Sequence, residues 1–367
     1  MFVVVFCSLI ALLLTVLESK GGLKHGMLTG FILVTILGAI HYDYGNDYMS
    51  YYGIYKKCTS YTFNLGRILE DGKVDGVEPG WLLLNWLFKP IGGFFTMVAV
   101  LNIIQNSIVY YFIRNNVSKS WWPISISVYL FNTSFFLLTF SMMRQEFVVI
   151  AFLGLWPLIR NRMWYLAVPI IYILSYIHTS ALILLPFAFW GFLPMKQAKF
   201  IGILYVAVFV ILWFSQDSVN SILVMSMNNE DLANYIEGYG ESKNALTYGI
   251  GYVINLIPLF LGLDYLMKQK TKDDELDKKN LVALALFSFL LAPFSAVIQL
   301  IERISIYFGV YAIGSIPIVY GAVTNKILRR SLVSLYLFML MYNYINFFGS
   351  DTWIKKYSTF HTIFSQF

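Results

Sequence analysis

Apolar residues run along this chain in blocks of helix length, separated by short polar or basic breaks and without the alternation of membrane barrel strands. The blocks predict helices near 2–17, 26–41, 92–113, 121–140, 144–159, 163–177, 180–194, 199–214, 248–267, 281–298, 303–323 and 331–348. A further apolar stretch, PGWLLLNWLFKP from Pro79 to Pro90, is too short to cross a bilayer and reads as an interfacial or re-entrant segment. The first block, MFVVVFCSLIALLLTVL, has no basic leader and no small-residue cleavage site before Glu18, so it reads as a first membrane helix. The pattern therefore predicts an all-α polytopic membrane protein of about 12 transmembrane helices. It forms a single integral membrane domain over 1–367, with larger extracytoplasmic loops at 42–91 and 215–247 and a short tail at 349–367.

Composition sharpens this picture. The chain is 58% hydrophobic and 13% charged, against about 25% charged residues in soluble domains, so membrane lipid is its solvent. The net charge of +6 suits inner loops lying against anionic lipid, and nothing points to nucleic acid. Cys7 lies in the first helix and Cys58 outside it, an arrangement that fits neither a disulfide nor a metal cluster.

Lysine and arginine give the orientation. With the N-terminus outside, sixteen of the 26 basic residues fall in six inner loops, including Lys20, Lys24, Arg114, Lys119, Arg160 and Arg162. The run KQKTKDDELDKK reads as a solvated inner linker. The outer face collects the unusual polar sequence instead: the two long loops and the tight turns at 141–145, 178–180 and 299–303.

That face carries the candidate chemistry. In HYDYGNDYMSYYGIY, Gly45 and Asn46 predict a turn, with Asn46 as a cap and a short helix starting at Asp47. Tyr48, Tyr51, Tyr52 and Tyr55 then share one helical face, either an interfacial belt or a platform for sugar rings. Asp43 and Asp47 add carboxylates that a belt does not require. Arg144 and Gln145 interrupt one apolar run, and Glu302 with Arg303 another. These arginines could snorkel to headgroups or pair locally with Glu146 and Glu302, but two guanidinium groups also suit a diphosphate. His178 stands at an outer hairpin beside Thr179 and Ser180, as a structural hydrogen-bonding residue or a general base. Glu78 is a helix-start acid or a ligand, and Asn102, Gln105 and Asn106 form a polar stripe suited to interhelical bonding. The charge-derived topology brings Asp43, Asp47, Glu78, Arg144, Gln145, His178, Glu302 and Arg303 to one face, although they come from five segments.

At these residues the chain resembles the Wzy-type O-antigen and exopolysaccharide polymerases, in their EpsG-like branch. The matching pieces, in order, are GNDYMSYY, VEPGWLLLNWLF, MMRQEFVVIAF, IHTSALILLP and ERISIYF. His41 is a departure, standing where the family pattern leads one to expect an arginine shortly before the aspartates. The resemblance implies a membrane glycosyltransferase that joins oligosaccharide repeat units carried on undecaprenyl diphosphate, at the outer face of a bacterial inner membrane. It implies Arg144 and Arg303 on the diphosphates and Asp47 or His178 as the base. Asp43, Glu78, Gln145 and the tyrosines Tyr48 and Tyr51 would hold the acceptor glycan. No cofactor is implied, and two arginines favour charge neutralisation without a metal, although paired carboxylates could share Mg²⁺ with phosphate oxygens. A chain-length regulator is the protein partner the resemblance implies. The 215–247 loop, with Tyr235 and Tyr239, would be either a lid over the site or a plain disordered loop. Two other readings stay open, a lipid-linked oligosaccharide flippase and another polyprenyl-sugar-dependent glycosyltransferase.

Overall fold

The structure, a computed structural model, describes residues 1–58, 76–193, 198–214, 256–268, 273–295 and 299–366. The 215–247 loop, the start of the helix expected over 248–267 and the middle of the 42–91 loop lie outside the described residues. The chain divides into two units, residues 1–192 with 340–367, and residues 193–339.

The first unit begins with α1 (Phe2–Ser19) and α2 (Gly26–Ile40), followed by α3 (Tyr48–Lys57), α4 (Pro79–Phe88) and α5 (Gly93–Asn116). Small residues let α1 and α2 approach closely: a Cβ on Gly30 would lie 2.9 Å from the Ala11 carbonyl oxygen. α5 runs antiparallel to α2, with Phe31 edge-on to Tyr110 at 5.6 Å. The polar stripe of α5 is buried, and Tyr129 donates across helices to Asn106 Oδ1 at 3.0 Å.

Two expected spans of the first unit are broken. The 121–140 run forms α6 (Trp122–Phe131) and a single turn, α7 (Leu138–Ser141). α6 ends because Asn132 turns extended and its Oδ1 accepts from the Ser134 amide at 2.9 Å, a local turn that competes with the helix. The 144–159 run forms α8 (Met143–Gly154) and α9 (Trp156–Arg160), divided at Leu155 just before Pro157. α10 (Trp164–Ser175) follows. The segment Thr179–Phe192 winds as a 3-10 helix with Pro186 inside it. Its 14 residues would make only about 21 Å of α-helix, whereas a 3-10 rise of about 2.0 Å per residue gives about 28 Å, near the thickness of a hydrocarbon core.

The second unit contains α11 (Ala198–Phe214), α12 (Ile257–Met267), α13 (Asp273–Ser295), α14 (Gln299–Gly309) and α15 (Ala312–Gly321). Tyr205 donates to the Ala283 carbonyl at 2.9 Å, and Phe287 packs edge-on to Phe308 at 4.6 Å. α16 (Lys326–Gly349) leads back to the first unit, which α17 (Asp351–Tyr357) completes.

Among the described residues, Phe2–Ser19, Gly93–Asn116 and Lys326–Gly349 are each long and apolar enough to cross a membrane. Arg303–Gly309 and Ala312–Gly321, bent by 53°, pass the same test as one broken span. With its further short apolar helices this is an all-α, multi-pass membrane protein.

The tail is more structured than the expected plain extension. After α17, His361–Thr362 pairs antiparallel with His41–Tyr42, with His41 opposite Thr362. Tyr357 and Phe360 pack edge-on against Tyr44 at 4.9 and 5.2 Å, and the N-terminal ammonium donates to the Ser358 carbonyl at 3.1 Å.

Candidate active site at one end of the first unit

One end of the first unit gathers the chain start, the 41–47 turn, the first turns of α4 and α8, the 176–179 loop and the tail. The other end carries basic loops, where Arg160 and Trp156 both donate to Asn116 Oδ1 and Arg162 donates to the Gly191 carbonyl.

Glu78 is the centre of the polar end. It is the N-cap residue of α4, with extended backbone and Pro79 in the first turn. Its side chain makes no cap bond to its own helix. Instead Oε2 accepts a short charge-assisted bond from Arg144 Nη1, while Oε1 accepts from the Thr179 amide at 3.3 Å and the Thr179 hydroxyl at 3.2 Å. His178 Nδ1 lies 3.4 Å from the same oxygen. Burial pushes the Glu78 carboxyl up, but the His178 contact and the Arg144 charge outweigh it and hold the group at about 2.

The first turn of α4 is docked tightly. The Gly80 amide donates to the Tyr176 carbonyl at 2.7 Å, and a Cβ at Gly80 would meet that oxygen at 2.6 Å. Only glycine permits this approach, which brings Glu78 to His178. The Arg144 guanidinium lies 5.6 Å from the Tyr51 ring centre, and Tyr51 packs edge-on to Trp81 at 5.4 Å. The carboxylate is 4% exposed, whereas Arg144 and His178 are each 21% exposed. One buried anion thus fixes a cation and an imidazole that both still reach solvent.

The other expected residues fall around this core. Asp47, the N-cap residue of α3, is half-buried, one position later than the expected cap at Asn46. The Asn46 and Asp47 amides converge on Ser141 Oγ at 3.1 and 3.4 Å, and the Asp47 charge acts on Tyr51. Asp43 is half-buried in the left-handed backbone region, at φ 45°, which a short polar side chain tolerates. Gln145 is buried. Tyr48 is fully buried, donates to the His41 carbonyl at 3.2 Å and packs among His41, Tyr42 and Phe94. Its ring is therefore packing, and a stacking surface on α3 would fall on the partly exposed Tyr52 and Tyr55. Arg303 is half-buried on α14 and belongs to the second unit.

His41, the departure from the family pattern, is buried with Nδ1 donating to the Gly38 carbonyl at 2.5 Å. Burial pulls its pKa down to about 4, so it is a neutral packed ring and supplies no phosphate-binding charge. Sequence reasoning missed Ser141, Trp81 and the tail as supports of the site. Each left a trace: Ser141 opens the expected 141–145 turn, Trp81 lies in the short apolar segment from Pro79, and the tail is dense in aromatic residues at Trp353, Tyr357 and Phe360.

Neither a curated protein nor a solved structure matches the chain. A family model does match, over residues 25–359, a range that includes Asp43, Asp47, Glu78, Arg144, Gln145, His178 and Arg303, and on that match the chain belongs to the EpsG family.

Proposed function

We infer that the chain has a polysaccharide-polymerase role in a membrane, a reading its family membership supports. We propose that the protein joins oligosaccharide repeat units, each carried on a polyprenyl diphosphate of the undecaprenyl type, at the outer face of a bacterial plasma membrane. The growing chain leaves its lipid diphosphate and passes to a hydroxyl at the non-reducing end of an incoming lipid-linked unit. The carrying observation is the solvent-reaching pair Arg144 and His178, fixed on Glu78 at the end of the bundle opposite the basic loops.

The chemistry asks for little more. The leaving diphosphate needs positive charge and no proton donor, and the attacking hydroxyl needs a base. Arg144 takes the leaving diphosphate, and Asp47 and His178 are the candidate bases. Asp43 and Gln145 belong on the acceptor side, with Tyr52 and Tyr55 as the partly exposed rings beside them. Glu78, engaged by three neighbouring residues, supports the site instead of gripping a sugar. A chain-length regulator is the protein partner that fits this reaction.

The test is to delete the gene in its host and resolve the surface polysaccharide by length. Collapse of the ladder to a single exported repeat, restored by the wild-type gene, is the expected result. Loss of even the single repeat moves the block to an earlier step and overturns the polymerase reading.

A further inference from the structure

The Glu78 carboxylate meets two functional groups at once, which raises the question of what each gains. Thr179 fixes Oε1 with two donors, so the oxygen that faces His178 is held in place. His178 Nδ1 is itself buried, so the exposed part of the ring lies elsewhere, on the side that carries Nε2. At 3.4 Å from Oε1, Nδ1 is within ion-pair reach but makes no hydrogen bond in this structure, a contact of the kind that commonly tightens when substrate binds. An imidazole that gives its Nδ1 proton to a carboxylate presents an Nε2 lone pair outward. The same carboxylate aims Arg144.

We propose that Glu78 is a positioning residue that holds His178 through Nδ1 and Arg144 through Nη1, so that His178 Nε2 takes the acceptor proton in preference to Asp47. This rests on the polymerase reading. In the step, the acceptor O–H bond breaks and its proton passes to Nε2 as the oxygen bonds to the anomeric carbon of the donor. The bond from that carbon to the diphosphate oxygen breaks, and its electron pair stays on the diphosphate, beside the Arg144 charge. The imidazolium that forms is stabilised by Glu78. Among the described residues, the charged and titratable groups around the pair are Arg144 on α8, Tyr51 on α3, and Asp47, whose charge acts on Tyr51.

The experiment uses the purified full-length protein with a synthetic polyprenyl-diphosphate-linked repeat unit, measuring kcat and KM across pH. Glu78→Gln should lower kcat by about 100-fold and move the acidic limb of the profile to lower pH, because the imidazolium loses its carboxylate. His178→Gln should abolish that limb, and Asp47→Asn should keep it. Thr179→Val leaves the Arg144 pair intact and removes one donor from Oε1, making the carboxylate a stronger partner. It should therefore move the limb to higher pH, and it serves if Glu78→Gln does not fold. An unmoved limb in Glu78→Gln or in Thr179→Val, or its loss in Asp47→Asn, overturns the inference while leaving the polymerase reading standing. A wild-type protein that makes no polymer from this substrate overturns the reading itself, and the inference with it.

Discussion

Arg144 carries two separable contributions, its charge and its shape. The charge compensates a carboxylate that is 4% exposed, and removing one partner of so buried a pair costs about 3 kcal/mol. The shape lets one guanidinium hold Glu78 while offering further N–H donors to a phosphate. Arg144→Lys should therefore melt near the wild type yet lose roughly 100-fold in rate, whereas Arg144→Ala should lose both stability and rate. The stability loss has a pH signature. Glu78 is held at about 2 in the folded protein against an ordinary 4.5, so its ionised pairing contributes fully above the higher value and fades as pH falls through the lower one. Melting curves of wild type and Arg144→Ala should thus converge between about pH 4.5 and 2. A gap that stays constant over that range would place the stabilising role of Arg144 elsewhere, for instance in its contact with Tyr51.

α4 shows what a short element does for the site. Its ten residues are too few to cross a membrane, and its first turn is pressed against the 176–179 loop with no room for a side chain at Gly80. Gly80→Ala should force the two segments apart, costing about 1–3 kcal/mol and much of the activity as Glu78 leaves His178. Gly53 is the control, since a Cβ there meets nothing within 4 Å inside α3. Gly53→Ala should keep activity and raise stability by about 0.5–1 kcal/mol; comparable losses in both variants, read by melting and polymer yield, would sink the docking argument. The existence of these elements was legible in the sequence, because apolar blocks of helix length demand helices in lipid. The breaks at Asn132 and Leu155 were not, since local turn chemistry decides them inside continuous apolar sequence. Nor was the 3-10 winding of Thr179–Phe192, whose composition suits an α-helix equally well. Tyrosine spacing on α3 correctly gave a helix with an aromatic face, but periodicity could not tell which rings, Tyr48 and Tyr51, turn inward.

At the scale of the first unit, the gathering of the 41–47 turn, Glu78, Arg144 and His178 at one end was readable from the order of the apolar blocks, which alternate in direction through the lipid. Which side chains meet at the polar end was not readable. Glu78 and Arg144 are 66 positions apart and Glu78 and Thr179 are 101 apart, separations at which no sequence period operates. The least expected long-range contact is the tail. It returns to pair with His41–Tyr42, the Lys356 carbonyl accepts from the Gly45 amide at 3.3 Å, and Tyr357 and Phe360 wall in Tyr44. These contacts fix the turn that presents Asp43 and Asp47, so the tail acts as a clasp on that turn. Removing residues 359–367 deletes the pairing strand and Phe360 while leaving α17 and the first-unit helices intact. Amides of 41–47 should then exchange with solvent about tenfold faster, polymer yield should fall, and helix content should stay constant by circular dichroism. Unchanged exchange at 41–47 would show that Ser141 alone holds the turn, and the clasp would have no part in presenting the aspartates.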